Sequence, residues 1–174
     1  MTNRPWFHFF CSRLLFVVIL CASGVCTRAQ TQGAKLYNPT ANAEGEIAAA
    51  VKKAKAEKKH VLIQAGGNWC SWCLEFNRFT HTDQQIDSLL EADYIVYHMN
   101  YSPENKNTTL MTKYGFPQRF GFPVFIILDE NGNQLHTQNS AYLEQGKSYN
   151  KGRVMEFLRG WNRIALNPAS YKNL

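Results

Sequence analysis

The 174-residue sequence predicts an α/β domain, a central mixed β-sheet flanked by helices on both faces. Three observations carry this reading. Apolar runs of strand length alternate with stretches of helical periodicity. VFIILD and QLHTQ bracket an Asn-Gly turn, which adds an antiparallel hairpin. The chain then closes on an amphipathic helix. No internal repeat or low-complexity linker divides it, so one domain is expected.

The first thirty residues stand apart from that pattern. Arg4 and Arg13 give a basic start, Leu14 to Ala22 is uncharged and apolar, and Thr27 and Ala29 supply a small-x-small site. This is the layout of a secretory signal over residues 1–29, with cleavage expected after Ala29. The apolar run is shorter than the ~20 residues that cross a bilayer, so no stable membrane insertion is expected after cleavage. Removing the segment takes away Arg4, Arg13 and Arg28 but no acidic residue, so the formal charge falls from +6 to +3. Basicity is then weak evidence for nucleic acid, and no basic face with interleaved aromatics supports it. Cys11, Cys21 and Cys26 leave as well; the mature chain keeps only Cys70 and Cys73, in a periplasmic or secreted setting where disulfides persist.

Residues 30–43 read as a polar lead-in with a short strand near Leu36 and Tyr37, and residues 44–174 as the domain. From Glu44 to Lys59, Ile47, Ala50, Val51 and Ala54 repeat at helical spacing, with lysines on the other face. HVLIQAG (60–66) is a compact apolar strand. NWCSWCLEFNRFTH follows as loop and helix, with Leu74, Phe76 and Phe79 as its buried face. TDQQIDSLLEAD is a second helix with Asp83 in its acidic first turn, and DYIVYHMNY a strand rich in β-branched and aromatic residues. Residues 103–115 give a polar loop and a short helix. The FPQRFGFP loop leads into the hairpin, and NSAYLEQGKSYNK is a long polar connection whose Tyr142 and Tyr149 are candidates for partner selection. GRVMEFLRGWNRIAL is the closing helix, with Val154, Phe157, Leu158 and Trp161 on its apolar face.

The chemistry concentrates in GGNWCSWCLEF (66–76). Cys70 falls where a strand hands over to a helix, so backbone N–H groups of the first turn stabilise a thiolate there. Thiol pKa values in such C-x-x-C settings fall from ~8.5 into the range ~3.5–7.5. Cys73 lies three residues on, on the same helix face, within reach of the Cys70 sulfur. Two-step exchange follows from that spacing: an accessible Cys70 attacks and Cys73 resolves. A bridge over two intervening residues closes too small a loop to staple the fold. Zinc needs about four ligands, and His60, His81, His98 and His136 lack the spacing to complete a set. Covalent haem needs a histidine where Leu74 stands. No metal or other cofactor is expected, although Cu(I) handling by the two sulfurs stays open.

With NWCSWC ending a strand and FGFPVFIILDENGN about fifty residues later, the chain resembles the thioredoxin-like superfamily, and within it the exported, periplasmic thiol–disulfide oxidoreductases. The likeness covers roughly residues 44–165. It implies a thioredoxin-like fold, catalytic Cys70 and Cys73, a cis-proline at Pro123 that shapes the backbone at Phe122, and a substrate-binding rim of Trp69, Trp72, Phe122 and Pro123. It implies reduction or isomerisation of disulfides in exported proteins, and a membrane electron donor to recharge the dithiol. Two positions depart from the family pattern. Gln64 stands where many relatives bury an aspartate, and His98 where the neighbouring strand carries a lysine, so resolution would use water or His98 as base. Ser71-Trp72 lacks the histidine of strongly oxidising members, which points to a potential within ~−270 to −180 mV. The rival from another class is a non-catalytic peptide-binding module built on Trp69, Trp72, Phe120 and Phe122.

Overall fold

The computed structural model describes Met1 and residues 35–172. The expected signal segment, apart from Met1, lies outside the described residues, as do Cys11, Cys21 and Cys26. Helix α1 (Ala43–Glu57) leads into strand β1 (His60–Gly66); α2 (Ser71–Thr82) and α3 (Gln84–Asp93) lead into β2 (Tyr94–Asn100). The short α4 (Thr108–Lys113) and a 3₁₀ turn (Pro117–Phe120) precede the hairpin β3 (Val124–Leu128) and β4 (Gln134–Asn139). A two-residue pair, β5 (Glu144–Gln145) and β6 (Ser148–Tyr149), comes before α5 (Lys151–Gly160).

The sheet order is β2-β1-β3-β4, with β1 parallel to β2 and the other pairings antiparallel. It is mixed because the α2–α3 crossover returns the chain in the same direction, whereas the tight turn at 129–133 reverses it. Asp129 holds that turn through its carboxylate, which accepts the N–H groups of Asn131 and Asn133. Strand β1 is buried along all seven residues, and the period of two sends its side chains to opposite faces. Val61, Ile63 and Ala65 meet Ile47, Ala50 and Ala54 of α1 and Leu110 and Met111 of α4. Leu62 joins Phe76 of α2, Ile86 and Leu90 of α3, and Val154, Phe157 and Leu158 of α5. Helices thus cover both faces, as the sequence predicts. Each fully buried large aliphatic or aromatic side chain contributes about 1.5–3 kcal/mol.

Several local expectations need correction. Leu36 and Tyr37 form no strand, yet Tyr37 is wholly buried. Leu74 is exposed, because α2 buries Cys73, Phe76 and Thr80 and position 74 lies one residue off that stripe. Asp83 is not in the first turn of α3: its extended backbone separates α2 from α3, and its carboxylate caps α3 by accepting from Gln85 and Ile86 N–H. The last helix stops at Gly160. Asn162 draws the chain aside there by donating to Asp93 and accepting from Ala165 N–H. Among the described residues no helix is long and apolar enough to cross a membrane.

Candidate functional site

Strand β1 ends at Gly66, a turn carries the chain through Asn68 and Trp69, and α2 begins at Ser71. Cys70 is therefore the N-cap residue. Its Sγ accepts the Cys73 N–H at 3.1 Å, a first-turn donor that also reaches the Cys70 carbonyl at 3.1 Å. A thiolate at this sulfur gains the same N–H and the positive end of the helix dipole. Cys70 and Cys73 are joined, with S–S 2.12 Å and Cα–Cα 5.2 Å. Cys73 is fully buried, and Cys70 keeps 5 % of its surface. That is less than the sequence reading expects of an attacking thiol. Tyr37, Leu36, Trp72 and Phe122, drawn from three separate segments, close over the pair and leave it a narrow opening.

Beneath the disulfide lies a polar floor. The Gln64 side-chain amide donates to Tyr37 Oη at 2.7 Å and to the Cys73 carbonyl at 2.9 Å. Gly66 has to be glycine: a Cβ there would overlap Cys73 Sγ and come within 3.0 Å of Tyr37 Oη. Asn68 clasps the Tyr37 backbone in both directions, accepting its N–H at 3.1 Å and donating to its C=O at 2.7 Å. Gln64 and His98 face each other in the β1–β2 register. The His98 ring meets the Tyr37 ring edge-on at 5.5 Å. Burial, with a smaller contribution from His81, lowers the His98 pKa to about 4, so this imidazole is neutral near pH 7.

Around the opening stand aromatic side chains. Trp69 is 57 % exposed, which excludes a core role. Its indole N–H donates to the Tyr101 carbonyl at 2.7 Å, and its ring packs edge-on against Phe122. Gly67 leaves room for that indole, because a Cβ there would strike it. Phe122 rests in turn on Tyr101, and the Phe122–Pro123 peptide bond is cis. Val124 pairs with Ala65, so the residues just before β3 arrive beside the end of β1. Trp72 is half-buried against Tyr149, whose hydroxyl donates to the Trp72 carbonyl at 3.0 Å.

Trp69, Trp72 and Phe122 thus gather round the cysteine pair. Phe120 is exposed and packs against its own neighbour, the Arg119 guanidinium. Of the two candidate selectors in the long connection, Tyr142 is exposed, but Tyr149 is a core residue packed on Phe76 and Phe79. The sequence reading misses Tyr37, Asn68 and Tyr101. An isolated aromatic in a polar lead-in was the available signal for Tyr37, and nothing local marks Asn68.

The chain is similar in sequence and fold to known proteins. The sequence pattern described as Thioredoxin-like matches residues 42–130. The "Thiol:disulfide interchange protein DsbD" of Colwellia psychrerythraea is 28 % identical over 135 residues, covering 76 % of this chain and 21 % of that protein. The protein of the same name from Shigella boydii is 25 % identical over 135 residues, covering 72 % of this chain and 23 % of its own length. The chain therefore spans about a fifth of the length of these curated relatives. In fold it is similar to a crystal structure titled disulphide isomerase from Xylella fastidiosa Temecula1, with TM-score 0.64 and 21 % identity over 73 % of this chain and 97 % of that one.

Proposed function

The chain belongs to the thioredoxin-like family, and from that premise we propose that it is an exported thiol–disulfide oxidoreductase that reduces or isomerises disulfides of other exported proteins. The observation that carries the reading is the linked Cys70–Cys73 pair at a helix start, with a backbone N–H already directed at the Cys70 sulfur. Reduced Cys70 attacks one sulfur of a client disulfide as a thiolate. The client's other sulfur leaves, and a mixed disulfide joins Cys70 to the client. Cys73 then attacks Cys70 Sγ, the Cys70–Cys73 bond forms, and the second client sulfur leaves and takes a proton from water. Two electrons have passed from the protein dithiol to the client.

In this reading Trp69, Trp72, Phe122 and Pro123 form the client-binding rim. An extended client segment pairs beside Phe122, where the backbone lies next to the end of the sheet. The narrow opening at Cys70 favours a thin, unfolded strand over a bulky surface. The oxidised protein needs a source of electrons, and the DsbD relatives, each several times longer than this chain, support a membrane electron donor as the partner. The signal layout of residues 1–29 supports a periplasmic or secreted location.

The test is reduction of a model protein disulfide by the thiol-reduced protein, together with trapping by Cys73→Ser in an export-compartment extract. Activity that falls to background in Cys70→Ser, with mixed disulfides accumulating on Cys73→Ser, supports the enzyme. Client binding that persists unchanged in Cys70→Ser, with no mixed disulfide, establishes a binding module instead. Retention of one equivalent of Cu(I) without exchange establishes copper handling. A measured potential near −120 mV overturns the reducing assignment.

A further inference from the structure

Tyr37 lies before α1 and outside the stretch that matches the family pattern, yet it is a full member of the cysteine cluster. Its environment leaves one feature unexplained by packing. The Cys73 carbonyl can only accept, so the Gln64 amide must turn its nitrogen toward it, and that same nitrogen reaches Tyr37 Oη. The phenol oxygen is therefore an acceptor in this contact, and its own proton is directed elsewhere. Among the described residues no acceptor takes that proton. Cys73 Sγ and Tyr37 Oη meanwhile border the same small space above Gly66.

We propose that Tyr37 is a positioning residue for Cys73: in the reduced protein its O–H, oriented by Gln64, donates to Cys73 Sγ and steadies the resolving thiolate. The inference rests on the dithiol reading above and gives the Cys73 sulfur a hydrogen-bond donor that Gln64 does not provide, since its amide nitrogen is already committed to Tyr37 Oη and the Cys73 carbonyl. In the resolving step the Cys73 thiolate attacks Cys70 Sγ, the bond to the client breaks, and the client thiolate is protonated by water. Tyr37 gives up no proton in this sequence. Burial holds its phenol well above the usual range, so it remains a donor throughout. A donated hydrogen bond favours the charged form of a buried sulfur that otherwise lies among apolar groups.

The experiment uses Cys70→Ser protein, in which Cys73 is the sole cysteine of the described domain, and follows thiolate absorbance against pH with and without Tyr37→Phe. Loss of one hydrogen bond to the thiolate should raise the midpoint by about one pH unit, an about tenfold lower thiolate fraction below it. An unchanged midpoint in a folded Tyr37→Phe variant overturns the proposal. Should that variant fail to fold, infrared difference spectra of Cys70→Ser with Tyr37 intact replace it. A tyrosine C–O band that shifts as Cys73 ionises supports the bond, and a band that stays constant overturns it. Disulfide exchange by the unaltered protein is scored separately. Exchange with an unmoved midpoint removes only the Tyr37 role, whereas a moved midpoint without exchange removes the enzyme and leaves the hydrogen bond.

Discussion

The two ends of strand β1 both bury polar side chains, and they do so differently. At the start, His60 is enclosed, with Nδ1 hydrogen-bonded to the Trp161 carbonyl at 2.8 Å and Nε2 3.7 Å from a Glu130 oxygen. That cluster ties the hairpin turn to the end of α5 and is closed. At the other end, Gln64, Tyr37 and the disulfide lie together, and no acceptor among the described residues takes the phenol O–H. Burying a polar group costs free energy unless it is paired. The His60 cluster ties elements of the fold together; the Gln64–Tyr37 network lies beside the cysteine pair and, in the reading proposed above, serves its chemistry.

Substitutions can break or sharpen this contrast. The largest effect is expected at Gly66, where Gly66→Ala drives a methyl into Cys73 Sγ; it should cost about 3 kcal/mol in denaturant unfolding of the oxidised protein and hinder disulfide closure. A smaller loss, about 2 kcal/mol, is expected for His60→Ala, which removes buried packing and leaves the Trp161 carbonyl without its partner, while Glu130 keeps Arg163. Exchange activity should survive that change, because His60 lies at the far end of the strand. If His60→Ala abolishes exchange while remaining folded, the division between the two ends is wrong.

His98 gives a pH-dependent test of the reactive end. Its folded pKa, about 4, lies below the unfolded value of 6.5. The unfolded chain therefore binds more protons between those values, so this contribution is present above pH 6.5 and is lost as pH falls through about 4. Thermal melts should show a decline worth about 2 kcal/mol by pH 5, and His98→Gln should flatten it. Glu75 is held at about 2, first by Arg78 and then by Ser148, so its contribution is lost at lower pH, between 4.5 and about 2. A decline between pH 6.5 and 5 that persists in His98→Gln belongs to another group. The smallest effect, about 0.5 kcal/mol, is expected for Trp69→Phe, which deletes one solvent-exposed hydrogen bond to Tyr101. Its larger consequence should be weaker client capture rather than lower stability.

What was legible in the sequence follows the range over which each signal acts. HVLIQAG reads as a strand because its apolar run and the glycines after it are local, and β1 occupies those residues. Cys70 and Cys73 declare themselves by spacing alone. Tyr37 does not, because its burial depends on Asn68, thirty-one positions away, and on a Gly66 that leaves room for it. The β5–β6 pair escapes for a different reason. Two residues show no alternation, and the link that holds them, Ser148 to Glu75 on α2, spans seventy-three positions. Leu74 was misassigned because a helix stripe is read from its neighbours, and a stretch with Cys73, Leu74 and Phe76 admits two stripes.

The Asn68 clasp on Tyr37 bears on where the domain can be cut. A chain trimmed to begin at α1 would keep the whole sheet, both described cysteines and all but the first residue of the family pattern. It would also lose Leu36 and Tyr37 from the cluster around the cysteines, opening Cys73 to solvent and leaving the Gln64 amide to face water in place of a phenol. Leu36 and Tyr37, ahead of the first helix, are thus part of the wall around the cysteine pair, supplied by a segment that looks dispensable.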